Sequence, residues 1–66
     1  MTWIEAVEQM RSGKNVRHPS MSTDKYWMMS HNQIVSRGNR ETDRGVVHPD
    51  LIPKNLLKAS NWQVAA

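Results

Sequence analysis

The sequence predicts an α+β domain: an N-terminal helix packed on a small antiparallel sheet, with a short second helix before a C-terminal strand. Three observations predict it. The opening MTWIEAVEQMRSGKNV places apolar residues at helical spacing and then meets a glycine. The middle YWMMSHNQIV is two β-prone runs separated by a short polar turn. The closing NLLKASNWQV is a leucine pair, a break and an alternating apolar–polar–apolar run.

Each element has a local reason. Thr2 and Glu5 make a T-x-x-E capping box, in which each side chain serves the other residue's amide. Trp3, Ala6, Val7 and Met10 form the apolar stripe, widened by Ile4. Glu5 and Glu8 lie near the positive end of the helix and Arg11 near the negative end. Gly13 supplies the left-handed residue that closes a helix. A helix is therefore expected over 2–12. Lys14 to His18 has β character and Pro19 ends it. Ser20 to Asp24 is turn chemistry, because Ser, Thr and Asp side chains compete for backbone hydrogen bonds. Tyr26 to Met29 is the strongest strand signal, His31-Asn32 a tight turn, and Gln33 to Val35 the return strand. The stretch 36–45, SRGNRETDRG, holds no apolar residue and is expected outside the core, as a long hairpin tip or a mobile binding loop. Val46 to His48 suits a further short strand, and Pro49 to Pro53 an extended segment or turn. Pro53 suits the first position of a short helix carrying Leu56 and Leu57. Ser60-Asn61 ends that helix, and Trp62 to Val64 reads as the closing strand. The sheet is expected to have three or four strands.

The 66 residues form one domain, 1–66. A chain of this size buries only about 60% of its unfolded surface, and such domains usually need a staple. Cysteine is absent, which excludes disulfides. The three histidines lie 13 and 17 positions apart, so no tight metal-ligand pair exists and neither metal nor cofactor is expected. Ile, Leu, Val and Phe together supply only 12 residues, with five Met and three Trp adding volume. The core is expected to be thin. One small helix covers one face of a sheet, so a second copy is expected over the other face or an edge, making a homo-oligomer. No apolar run approaches the roughly 18 residues of a membrane span, and no secretory leader is recognisable. The lack of cysteine fits a reducing cytoplasm. A net charge of +3 and a pI near 9.8 point to an anionic partner.

No nucleophile–base pair, phosphate loop or metal motif is present, so catalysis is not expected. Glu41 and Asp43 are flanked by arginines and suit salt bridging better than an ion. Binding chemistry is richer. Arg17 and His18 precede a turn bearing Ser20, Ser22 and Thr23, and arginines with turn amides and hydroxyls hold phosphates. Tyr26 and Trp27 offer flat faces for a base, although strand alternation places at least one of them in the core. Arg37, Arg40 and Arg44 concentrate positive charge in the polar loop. These seven residues are the candidate ligand-binding set.

The opening W-I-E-A-V-E-Q-M-R-S-G-K-N-V-R, the middle Y-W-M-M and the closing N-L-L-K-A-S-N-W-Q-V resemble small phage and prophage proteins of the second Thoeris anti-defence sponge family. Those open with F-x-E-A-hydrophobic and G-K-x-V-x-R and close with L-L-A-x-D-W-x-V. Ile4, Ala6, Val7, Gly13 and Val16 carry the opening match, and Leu57, Trp62 and Val64 the closing one. Where the family usually has a tryptophan shortly after the arginine, this chain reads R-H-P-S-M. The resemblance implies a helix on an antiparallel sheet, assembled as dimers or tetramers. It also implies a protein working in the host bacterial cytosol, which binds cyclic ADP-ribose-type nucleotides without cleaving them and so deprives an immune effector of its signal. Two other readings predict different measurements. An inhibitor docking on a host defence protein through 36–45 predicts loss of activity on charge reversal of Arg37, Arg40 and Arg44. A small nucleic-acid-binding module predicts affinity that falls steeply with salt.

Overall fold

The computed structural model describes residues 1–65. Helix α1 spans Trp3–Arg11 with Thr2 as its N-cap. The Glu5 amide donates to Thr2 Oγ1 at 3.3 Å, and the Thr2 amide donates to Glu5 Oε1 at 3.0 Å. The Thr2 amide, together with the Thr2 hydroxyl that also donates to Oε1, holds the Glu5 carboxyl below its ordinary pKa. At the other end Gly13 takes φ +93°. There the Gly13 amide reaches Met10 O and the Lys14 amide reaches Gln9 O, each at 3.0 Å. The helix is one residue shorter at each end than expected, because its flanking residues serve as caps.

The sheet has five strands rather than three or four. They are β1 (Asn15–Arg17), β2 (Tyr26–Ser30), β3 (Gln33–Arg37), β4 (Gly45–Val47) and β5 (Gln63–Ala65), in the order β4-β3-β2-β1-β5. Every neighbouring pair is antiparallel. The count rises because the two short segments read as strands after the hairpin, now at 45–47 and 63–65, both pair, at opposite edges. β2 and β3 meet at His31 and Asn32, with φ of 51° and 62°, a two-residue turn whose twist suits a tight hairpin.

Two expectations about the polar stretch change. β3 runs on through Ser36 and Arg37, and Ser36 is buried. It pairs with Trp27 on one side and Gly45 on the other. Its hydroxyl donates to the Asp43 carbonyl, which satisfies a polar group inside the fold. Residues Glu41–Asp43 form a 3-10 turn.

After β4 the chain makes a 3-10 turn at Pro49–Leu51 and helix α2 at Lys54–Lys58. Pro53 is the N-cap of α2 rather than its first residue: its ring fixes a helix-compatible φ of −56°, but ψ is 140°. The connection packs Ile52 and Leu56 against the core and delivers Trp62 to it, while Leu57 is exposed. Trp62 Nε1 donates to Leu56 O at 2.9 Å, tying α2 to the strand that follows. Trp62 itself lies just before β5. A reciprocal backbone pair joins it to Met1: each residue's nitrogen donates to the other's carbonyl at 2.9 Å.

The core is Ala6, Met10, Val16, Trp27, Ile34, Ile52 and Trp62. Its centre is aromatic. Trp3 meets Trp27 edge-on at 6.0 Å and Trp62 at 5.0 Å, and Trp27 lies 5.5 Å from Trp62. Three indoles supply the volume that the few branched residues do not.

Register then decides the two faces. Val16, Trp27 and Ser36 share the face under α1. The alternate positions share the opposite face. Arg17 pairs with Gln63, and Tyr26 pairs with Arg37. Because Val16 opposes Trp27, Arg17 stands opposite Tyr26. A second row runs through Met28, Val35 and Val46.

Candidate functional site

Strand register brings four of the seven candidate residues near one another. Tyr26, at the start of β2, stands between Arg17 of β1 and Arg37 of β3 on the face away from α1. Arg44 precedes β4 on the far side of Arg37. Tyr26, Arg37 and Arg44 border one recess of about 250 Å³, together with Asp24, Gly38 and Asn39. Arg37 is exposed and Tyr26 half-buried.

The recess is shaped by a tight loop. Arg44 Nε donates to the Gly38 carbonyl at 3.0 Å, which fixes the guanidinium stem. Gly38 is required by packing rather than by its dihedrals: a Cβ there would stand 2.7 Å from Asp43 Cβ. The Ser36 hydroxyl holds the Asp43 carbonyl from beneath. The 38–44 segment is therefore folded back on β3, and its arginines at 37 and 44 are held on either side of the turn.

Chemically, two guanidinium groups offer paired donors to phosphate oxygens. The Tyr26 ring offers an apolar face. Asp24 adds an acceptor for hydroxyl or amino hydrogens, in a recess whose charged side chains are otherwise cationic. Asp24 and Asn39 were not singled out by sequence; both lie in polar turn segments where nothing but the fold marks them.

The remaining candidates, Arg17 included, do not border the recess. Arg17 turns toward the loop after β1, donating from Nη2 to Met21 O at 2.9 Å and to Ser22 O at 3.3 Å. Its Nε is buried without a hydrogen-bond partner. His18 acts as a clasp. Its Nδ1 accepts from the Ser20 amide at 3.1 Å, which assigns the proton to Nε2, and Nε2 donates to Asn61 Oδ1 at 2.7 Å. Its ring also packs edge-on against Trp62 at 5.4 Å. Nδ1 is thus spent on the turn at Ser20, and Nε2 on joining the end of β1 to the segment before β5. Arg40 is exposed and lies outside the recess. Trp27 is the clearest correction. It is 6% exposed and packed in the indole cluster, which leaves little of its ring face for a ligand.

Among the described residues no group of three or more His, Asp or Glu is placed to hold a metal ion. Nor, among them, is any helix long and apolar enough to cross a membrane. No family model, no curated protein and no solved structure matches this chain.

Proposed function

We propose that this chain is a non-catalytic binding protein for a phosphate-bearing nucleotide. The observation that carries the reading is the meeting of Tyr26, Arg37 and Arg44 around one recess. The arginines take the phosphate, the tyrosine ring packs on the sugar or base, and Asp24 accepts from a hydroxyl or amino group. The resemblance at the two ends of the chain narrows the class to cyclic ADP-ribose-type signals. It also gives the role: a phage-encoded counter-defence protein that sequesters the signal in the host cytosol. Assembly into a dimer or tetramer belongs to the same proposal, with Met28, Val35 and Val46 as the apolar row that a second copy covers.

A thermal-shift panel of cyclic nucleotides and cyclic ADP-ribose isomers tests it. A ligand at 100 times its dissociation constant adds about 2.7 kcal/mol, which raises the midpoint of so small a domain by about 10 °C or more. Replacing both Arg37 and Arg44 by Ala is expected to abolish the shift while leaving the free protein's midpoint nearly unchanged, since surface charges contribute little to stability. Mass spectrometry of the released ligand is expected to recover it intact. A flat response across the panel overturns the reading and favours docking on a host defence protein through 36–45. Sedimentation that shows a monomer at all concentrations removes the oligomer.

A further inference from the structure

A second recess lies against α1, apart from the Tyr26 recess. It exists because α1 is too small for the sheet. Nine helical residues make a rod roughly 14 Å long and about 10 Å wide, whereas five strands span about 19 Å between the outer two. The helix packs over β1, β2 and β5. The β3–β4 side is left uncovered, as a cleft of about 410 Å³. That volume falls within the range of small-molecule sites.

The walls are apolar. Trp3 and Val7 stand on the helix side, Met29, Ile34 and Val47 on the sheet, and Pro49 at one end. The rim is different. Arg11, Asn32, Gln33 and His48 border the opening and are all exposed. Among the described residues no carboxylate side chain lines it. An apolar floor excludes water, and a rim of donors with one permanent cation favours negative charge.

We propose that this cleft is a second binding site, for a small amphipathic anion: a flat or branched apolar body with one terminal carboxylate or sulfonate. The body replaces water against Val7, Ile34 and Val47, and the anionic end meets Arg11 at the rim. The site is separate from the Tyr26 recess, with which its lining shares no residue; Val46 belongs both to its lining and to the row assigned to a second copy.

The probe is 1-anilinonaphthalene-8-sulfonate, followed by its fluorescence and by amide and indole NMR of the full chain. Expected are saturable binding and movement of the Trp3 indole and the Val7, Ile34 and Val47 amides, with Arg37 and Arg44 still. Arg11→Gln is expected to weaken binding about tenfold, the loss of one charge-assisted contact. Gln33→Glu, which sets a carboxylate at the rim, is expected to weaken it too. Both residues are exposed, so both variants fold. The neutral N-phenyl-1-naphthylamine is expected to bind more weakly than the sulfonate. Absence of saturable binding, shifts confined to other surfaces, or indifference to Arg11→Gln and to the probe's charge would each overturn the proposal.

Discussion

Tyr26 and Trp27 are neighbours in the chain and face opposite ways. Trp27 enters an indole cluster under α1, where Val16, Ile34 and Trp62 complete the packing. Tyr26 faces away from the helix, between two arginines on adjacent strands. The same strands therefore make a closed face and an open one, and the open one collects the cations. The difference teaches where this small domain keeps its stability and where it keeps its binding chemistry. A substitution in the buried indole cluster acts on folding, and one at the exposed arginines acts on ligands.

The strongest way to break the contrast is Trp62→Ala. Trp62 is 2% exposed and touches Trp3, Trp27 and His18. Removing a buried tryptophan costs about 3–5 kcal/mol, comparable to the whole stability of so small a domain. The variant is expected to lose its near-ultraviolet dichroism at 25 °C.

Gly38→Ala tests the loop that shapes the open-face recess. The new methyl group meets Asp43 Cβ at 2.7 Å, and overpacking of this kind costs about 1–3 kcal/mol. Urea unfolding is expected to show the loss, and amide shifts are expected to spread over 38–44. Thr2→Ala removes the helix cap and costs about 1 kcal/mol in the same assay. Met28→Ala, a half-buried position on the open face, is expected to cost less than Trp62→Ala by at least about 2 kcal/mol.

The smallest effect sharpens the picture through pH. Thr2's amide and hydroxyl depress the Glu5 pKa in the folded chain. A depressed carboxyl contributes stability that is present above its unfolded pKa and lost as pH falls through the folded one. Thermal midpoints are therefore expected to decline on acidification through the carboxylate range. Glu5→Gln, which keeps a capping-box acceptor, is expected to flatten part of that decline. An unchanged pH profile in the variant would show that the cap carries no charge dependence.

How much of this was legible in the sequence follows from range. α1, its cap and its closing glycine were legible because every determinant lies within a few residues. The β2–β3 hairpin was legible for the same reason. Val46 to His48 and Trp62 to Val64 also read as strands, but that both join one five-stranded sheet was not legible, because their partners are supplied by the fold. Ser36 was misread as loop because its burial depends on an acceptor seven residues on. In the site, residue types pointed to Tyr26, Arg37 and Arg44, but only register and the folded-back loop bring them together. His18 and Arg17 looked equally suited to a ligand; their partners Asn61 and Met21 are invisible until the chain is folded.

The pairing of β1 with β5 has a consequence for how the protein is born. β1 lies inside the sheet, yet one of its neighbours comes from the far end of the chain. The Met1–Trp62 clasp joins residues 61 positions apart. As the chain leaves the ribosome, the helix and the hairpin can form early, but β1 keeps an unpaired edge until β5 emerges. Contacts of such long range slow folding, and an open strand edge invites association with other chains. The interval between synthesis of β1 and arrival of β5 is thus the period when a nascent molecule is most exposed to pairing with its neighbours on the same messenger.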